Sequence, residues 1–229
     1  MDRSIWLKEI RRFNEEQETL LAPSYDEHWG AIAPLHLQCL ERFLSLCPSQ
    51  GHLLDAACGT GKYWPLILAR GRTVFGLDQS QGALIRAQEK FPDVLSHKLD
   101  LQEMAYSEVF SGALCIDAME KIFPEDWLLV LCKLCKAIVQ EGYFYFTVEL
   151  AQEQDIQESF AEGQQLGLPI VYGEAEWLEE GGYHWERGGW YHYYPQIQQV
   201  NEWVLMAGFQ VIDEQADSEY HHFLVQKWL

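Results

Sequence analysis

The sequence predicts an α/β fold, a parallel sheet with helices packed on both faces, and two observations carry that prediction. From Gly51 onward, short apolar runs alternate with longer amphipathic stretches, the order that returns the chain to the same edge of a sheet after every strand. The first run also passes straight into a glycine turn, Leu53-Leu54-Asp55-Ala56-Ala57-Cys58-Gly59-Thr60-Gly61. The second, Thr73-Val74-Phe75-Gly76-Leu77, ends in Asp78.

Strand, glycine turn, helix, strand and acid in that order form the nucleotide-binding half of a Rossmann-like fold. Glycine has no Cβ, so backbone at the turn can approach a ligand, and a carboxylate on the second strand tip can hold a ribose diol. Strands are expected at 52–56, 73–77, 96–98, 112–117 and 143–149, with helices at 63–69, 81–90 and 125–139. Pro65 falls in a first helical turn, where its missing N–H costs nothing. Pro124-Glu125-Asp126 puts a proline and two acids at a helix start, in keeping with the helix dipole. Before the sheet, 4–21 and 34–46 are expected as helices, the second with Leu37, Leu40, Phe43 and Leu44 at helical spacing. The connector 23–30 between them is polar and aromatic. After the sheet, 200–207 is a helix stopped by Gly208, and 209–213 and 223–228 are two strands joined by a loop. Residues 150–195 follow neither period. So long a loop in a compact domain is functional or disordered, and its wealth of Trp and Tyr argues against disorder. The expected organisation is an N-terminal helical cap (1–49), a core (50–149), an inserted aromatic lid (150–195) and a C-terminal helix with a strand hairpin completing the sheet (196–229).

With 229 residues, 48% apolar and 22% charged, the chain can bury a sizeable core. Thirty-five acids against sixteen bases give a formal charge of −19, which repels a phosphate backbone and disfavours nucleic acid. No signal peptide or membrane span is read, so a cytoplasmic protein with six thiols is expected, a monomer or homodimer. Cys132-x-x-Cys135 has no second pair and lies in a helical run. It reads as packing, and no metal is expected.

The turn discriminates between cofactors. A dinucleotide site would carry a third glycine where Trp64 stands, and the carboxylate of Asp55 at its head would repel a pyrophosphate. A cationic ligand suits it better. D-A-A-C-G-T-G followed by G-L-D-Q-S resembles motif I and the following acid of the class I S-adenosylmethionine (SAM)-dependent methyltransferases, within the broad type-11/25-like small-molecule group. The resemblance extends over about 50–149 and 196–229. It implies a Rossmann-like, seven-stranded, mostly parallel sheet with an antiparallel C-terminal strand, and SAM as the cofactor of a methyl transfer to a small-molecule acceptor.

It also implies roles for residues. Asp55 would sit by the methionine amino group, and Ala56, Ala57, Cys58, Gly59, Thr60 and Gly61 would form the turn beneath the cofactor. Asp78 would hold the ribose, with Gln79 and Ser80 beside the adenine, although Asp78 and Ser80 also suit a helix N-cap. Asp100 and Leu101 would contact the adenine. Asp117, Ala118 and Met119 would line the channel from sulfonium to acceptor. Tyr25 and Trp29 would fold over the methionine end, or merely pack the N-terminal helices on the sheet. For proton transfer the candidates are His36, His184 and His192, with His192 favoured, and Glu149 could orient an amine or hydroxyl. Glu174, Glu176, Glu179 and Glu180 read as a solvated face, yet an aromatic, acidic lid would also accommodate a cation. A catalytically silent SAM- or S-adenosylhomocysteine-binding protein, an NAD-dependent oxidoreductase and a methyltransferase acting on a basic peptide stay open as alternatives.

Overall fold

The computed structural model describes residues 2–178, 182–185 and 189–228. Three helices open the chain: α1 (Arg3–Leu21), α2 (Tyr25–Trp29) and α3 (Pro34–Leu46). Asp2 caps α1 by accepting the backbone N–H groups of Ser4 and Ile5. The alternating core follows as β1 (His52–Ala56), α4 (Trp64–Ala69), β2 (Thr73–Asp78), α5 (Gln81–Lys90), β3 (Leu95–Lys98), β4 (Phe110–Cys115), α6 (Trp127–Ala137) and β5 (Ile138–Glu149). Then come α7 (Glu153–Gln165), β6 (Glu174–Trp177), β7 (Trp190–Tyr193), α8 (Ile197–Met206), β8 (Phe209–Ala216) and β9 (Tyr220–Lys227).

Seven strands form one sheet in the order β3-β2-β1-β4-β5-β9-β8. The first five are parallel, and β9 runs antiparallel between β5 and β8, as the resemblance implies. Successive side chains of β1 alternate faces, so Leu53 joins an apolar cluster with Phe43, Trp64 and Tyr145, while Leu54 joins another with Trp127, Phe144 and Phe209. The strand order reverses between β1 and β4. Loops leaving their carboxyl ends therefore diverge and open a crevice there.

Several boundaries differ from the sequence reading. The helix expected over 125–139 stops at Ala137, and β5 begins at Ile138. The β-branched pair Ile138-Val139 suits the strand, which is long enough to pair with both β4 and β9. Strand β4 ends at Cys115, before Asp117, whose φ of +54° takes the chain out of the sheet. Residues 150–195 are no irregular loop, because they hold α7 and an antiparallel hairpin of β6 and β7. Helix α7 buries only Ile156, Ser159 and Gly163, too faint a stripe to show as a period. Helix α1 packs on this hairpin segment, with Trp6 5.8 Å from Trp185 and 6.3 Å from Tyr191.

Glu174 of β6 overturns the solvated-face expectation. It is fully buried, accepts bonds from Arg3 Nη1 and Nη2 and from the Tyr191 hydroxyl, and so pins α1 to the hairpin. Glu176 accepts the Gly189 N–H, and Glu179 and Glu180 lie outside the described residues. Among the described residues no helix is long and apolar enough to cross a membrane, and no cluster of ligating side chains could hold a metal. Cys132 is exposed and Cys135 buried on α6, both as free thiols.

Candidate active site

A cavity of about 480 Å³ opens over the carboxyl ends of β1, β2 and β4 and reaches the β6–β7 hairpin. Its floor is the glycine turn. Ala57, Gly59 and Gly61 all have positive φ, at 61°, 53° and 78°, and Cys58 N–H binds the Leu77 carbonyl to fasten the turn to β2. A Cβ on Gly59 would meet nothing within 4 Å, so that backbone faces open space. Gly61 answers a different need: a Cβ there would lie 2.8 Å from the Trp64 ring. Trp64 is fully buried below the turn and fills the place a third glycine would have left empty.

Two buried carboxylates flank the turn. Asp55 lines the cavity and accepts the Trp64 indole N–H at 2.8 Å. Burial pushes its pKa up to about 7, against the lowering effect of that bond. Asp78 accepts the backbone N–H of Gly59 on Oδ2 at 2.8 Å and of Ser80 on Oδ1 at 2.7 Å. Burial raises it to about 6 despite those two donors. No Lys or Arg pairs with either group among the described residues. The turn is tied outward as well: Thr60 donates to Asp26 at 2.6 Å, and Lys90 also bonds Asp26. This holds α2 above the turn, with Tyr25 and Trp29 both on the cavity wall and their rings 5.5 Å apart.

Asp117 sits at the centre of a third knot. It accepts from His36 Nε2 and the Tyr63 hydroxyl at 2.8 Å and from Lys62 at 3.1 Å, and its own N–H donates to Thr147 Oγ1. Burial works to raise this carboxyl, but the His36 bond, the Lys62 charge and the Tyr63 bond together hold it at about 2. The far end of the cavity is built differently. Glu120, only 4% exposed, lines the wall, and its Oε2 has no hydrogen-bond partner. Burial and the neighbouring Glu149 charge push it up to about 8. His192 lies with Nδ1 2.7 Å from Glu149 Oε2 and 2.8 Å from the Tyr194 hydroxyl, while its Nε2 meets the Lys121 ammonium. Burial and the Lys121 charge bring His192 down to about 4, so its ring is neutral at pH 7.

Residues 53–142 match the family model described as a methyltransferase domain. That stretch of the chain is similar to a methyltransferase domain. The fold of the chain is shared with solved structures at low identity. One is the 1,6-didemethyltoxoflavin-N1-methyltransferase of Burkholderia thailandensis, with a TM-score of 0.70 and 15% identity over 97% of this chain and 90% of that one. Another is a SAM-dependent methyltransferase from Methanosarcina mazei, with a TM-score of 0.69 and 12% identity over 86% of this chain and 99% of that one. A curated relative, the dTDP-3-amino-3,6-dideoxy-alpha-D-glucopyranose N,N-dimethyltransferase of Streptomyces fradiae, is 33% identical over 69 residues. That match covers 30% of this chain and only 27% of the relative.

Most of the residues singled out from sequence meet on one cavity. Tyr25, Trp29, His36, Asp55, Ala57, Cys58, Gly59, Thr60, Asp78, Gln79, Asp100, Leu101, Asp117, Ala118, Glu149 and His192 all line it. Four do not. Ala56 and Met119 are fully buried in the core, Gly61 packs on Trp64, and Ser80 caps α5 by accepting the Ala83 N–H. His184 is half exposed beside Glu162, away from the cavity wall. Sequence reasoning missed Lys62, Tyr63 and Lys121, and it gave no role to Asp26, inside the Tyr25–Trp29 segment, or to Glu120, the last residue of the Asp117-Ala118-Met119-Glu120 step.

Proposed function

We propose that this chain transfers a methyl group from SAM to a small-molecule acceptor. The observation that carries the reading is one cavity joining two buried carboxylates, Asp55 and Asp78, which have no cationic partner among the described residues, to a second polar cluster under the hairpin. A cationic cofactor fits this donor set. Asp55 keeps one oxygen beyond its Trp64 bond for an ammonium. Each Asp78 oxygen already takes one backbone N–H and retains a lone pair for a ribose hydroxyl. A pyrophosphate would meet the same two carboxylates with no Lys or Arg to offset them, which disfavours the NAD reading.

When bound, SAM supplies an electrophilic methyl carbon on a positively charged sulfur. The chain's own part is alignment and exclusion of water. Gly59 would bring backbone against the ligand, Asp100, Leu101 and Gln102 would contact the base, and Asp117 and Ala118 would line the passage toward the acceptor, all of them on the cavity wall. Asp117 stays ionised and fixed because three side chains donate to it. We assign His192 a positioning role rather than that of proton acceptor. Its Nε2 meets the Lys121 amine, and Nδ1 lies 2.8 Å from the Tyr194 hydroxyl and 2.7 Å from Glu149 Oε2, so neither nitrogen is left free. His36 spends Nε2 on Asp117, while its buried Nδ1 has no hydrogen-bond partner among the described residues. We further read α1 and the β6–β7 hairpin, joined through Arg3 and Glu174, as the lid of this site. The −19 charge favours a small molecule or a basic partner over nucleic acid.

Calorimetry with SAM, S-adenosylhomocysteine and NAD tests the cofactor. The first two should bind and NAD should not. Heat from NAD alone would end the proposal. Turnover with a labelled methyl donor and pooled metabolites separates an active enzyme from a silent binder, which would bind without consuming the donor.

A further inference from the structure

Resting on the methyltransferase reading, we propose that the acceptor is an amine that enters as its ammonium and docks on the unpaired carboxylate of Glu120. The methyl is then placed on nitrogen.

Three independent observations converge on this. Glu120 is 4% exposed, lines the cavity, and has an oxygen with no hydrogen-bond partner. A carboxylate so placed is costly to a fold unless something charged or hydrogen-bonding comes to meet it. The lining charge points the same way. Among the described residues eight carboxylates border the cavity against three Lys or Arg side chains. Each of those bases is already engaged: Arg11 with Asp100 and Asp126, Lys62 with Asp117, Lys121 with His192. An anionic acceptor finds no free cation here, and a cationic one finds an excess of negative charge. The third observation is aromatic. Tyr25, Tyr220, Trp177 and Trp190 line the same cavity. Both tyrosine hydroxyls lie within electrostatic reach of Glu120. Aromatic faces beside a carboxylate make a seat for an alkylammonium and offer little to a phosphate or carboxylate.

The cluster also provides for the proton. An ammonium has no lone pair and cannot attack carbon. Transfer of one proton from it to Glu120 leaves a neutral amine and a neutral carboxylic acid. The nitrogen lone pair then forms the N–C bond as the C–S bond of the sulfonium donor breaks and its electrons return to sulfur. The products are a methylammonium and a neutral thioether, and Glu120 afterwards releases its proton to solvent. Burial and the Glu149 charge raise the affinity of Glu120 for a proton, so it can accept one from an amine. An alcohol acceptor would gain nothing from this arrangement in binding, since it carries no charge to place on the carboxylate.

The test uses protein saturated with S-adenosylhomocysteine and matched probes on three frames: benzylamine, tryptamine and cyclohexylamine against benzyl alcohol, tryptophol and cyclohexanol. Binding is read by calorimetry at about pH 8.5, above the value of about 8 to which burial raises Glu120 and where the amines are still ammonium ions, on wild type and on Glu120→Gln, which preserves shape and removes the charge. The expected result is that at least one amine binds at least about ten-fold more tightly than its alcohol, and that Glu120→Gln abolishes this preference. S-adenosylhomocysteine should bind the variant as tightly as wild type, which also establishes that the variant is folded. Amines binding no better than their alcohols to wild type would overturn the proposal, a comparison that needs no variant. So would an amine preference that survives in Glu120→Gln. Failure of wild type to bind S-adenosylhomocysteine would instead overturn the methyltransferase reading beneath it.

Discussion

Replacing Trp64 by Phe tests the link between the buried turn and the proposed cofactor most directly. The indole N–H is the side-chain donor that Asp55 receives, at 2.8 Å, and both residues are buried, Trp64 completely. Phenylalanine retains much of the ring but has no hydrogen to give. A hydrogen bond to a charged group contributes about 1.5–3 kcal/mol, and the lost ring volume adds roughly 1 more, so a destabilisation of about 2–4 kcal/mol is expected. For a chain of this length that lowers Tm by roughly 5–15 °C in a scanning calorimeter. The effect on binding has its own signature. Asp55 already titrates near 7, well above its ordinary 3.8, because burial penalises its charge. Without the donor it moves higher and is neutral at pH 7, so SAM should bind about ten-fold more weakly. Raising pH from 6 to about 7.5 increases the ionised fraction of Asp55 and should recover part of that affinity while the ligand's own amino group is still largely protonated. A merely loosened turn would not recover with pH. Wild-type affinity in the variant at both pH values would refute the assignment of Asp55 to the cofactor.

Three further outcomes are expected. Gly76→Ala puts a Cβ 2.6 Å from the Trp64 ring and 2.8 Å from Cys58 Sγ, and should cost about 1–3 kcal/mol by chemical denaturation. Glu174→Ala leaves Arg3 and the Tyr191 hydroxyl without their partner between α1 and the hairpin. A loss of about 3–5 kcal/mol and faster hydrogen exchange in β6 and β7 should follow, and unchanged exchange there would dissociate Arg3 from the hairpin's stability. Asp117 is held at about 2, below its ordinary 3.8, so the stability it contributes is present above 3.8 and is lost as pH falls through about 2. That contribution is about 2 kcal/mol. Asp117→Asn, which tolerates the positive φ, should flatten the acid limb of the stability curve between pH 4 and 2.

Local chemistry made the cofactor half of the site legible. The glycine turn, Asp55 and Asp78 lie on consecutive strand tips, so chain order alone brings them together once β1 and β2 pair in parallel. Strand and helix periods survive wherever an element is buried on one clear face, which is why β1 and α5 were found at their true bounds and β2 within one residue. Residues 150–195 escaped because α7 buries too few side chains to mark a stripe and β6 carries an acid, Glu174, whose burial depends on Arg3 at the other end of the chain. The acceptor half was hidden for the same reason. Glu120 and Glu149 are separated along the chain, and nothing near either of them says that they meet in one cavity or that one oxygen of Glu120 is left without a hydrogen-bond partner. His192 looked free to take a proton until folding brought Lys121 and Glu149 to its two nitrogens. The amino-acid order by itself thus determined the sheet and the turn, because neighbouring residues set backbone conformation. Tertiary packing alone decided which charges are buried and which are paired, because desolvation and Coulomb energy depend on distance in space and not along the chain.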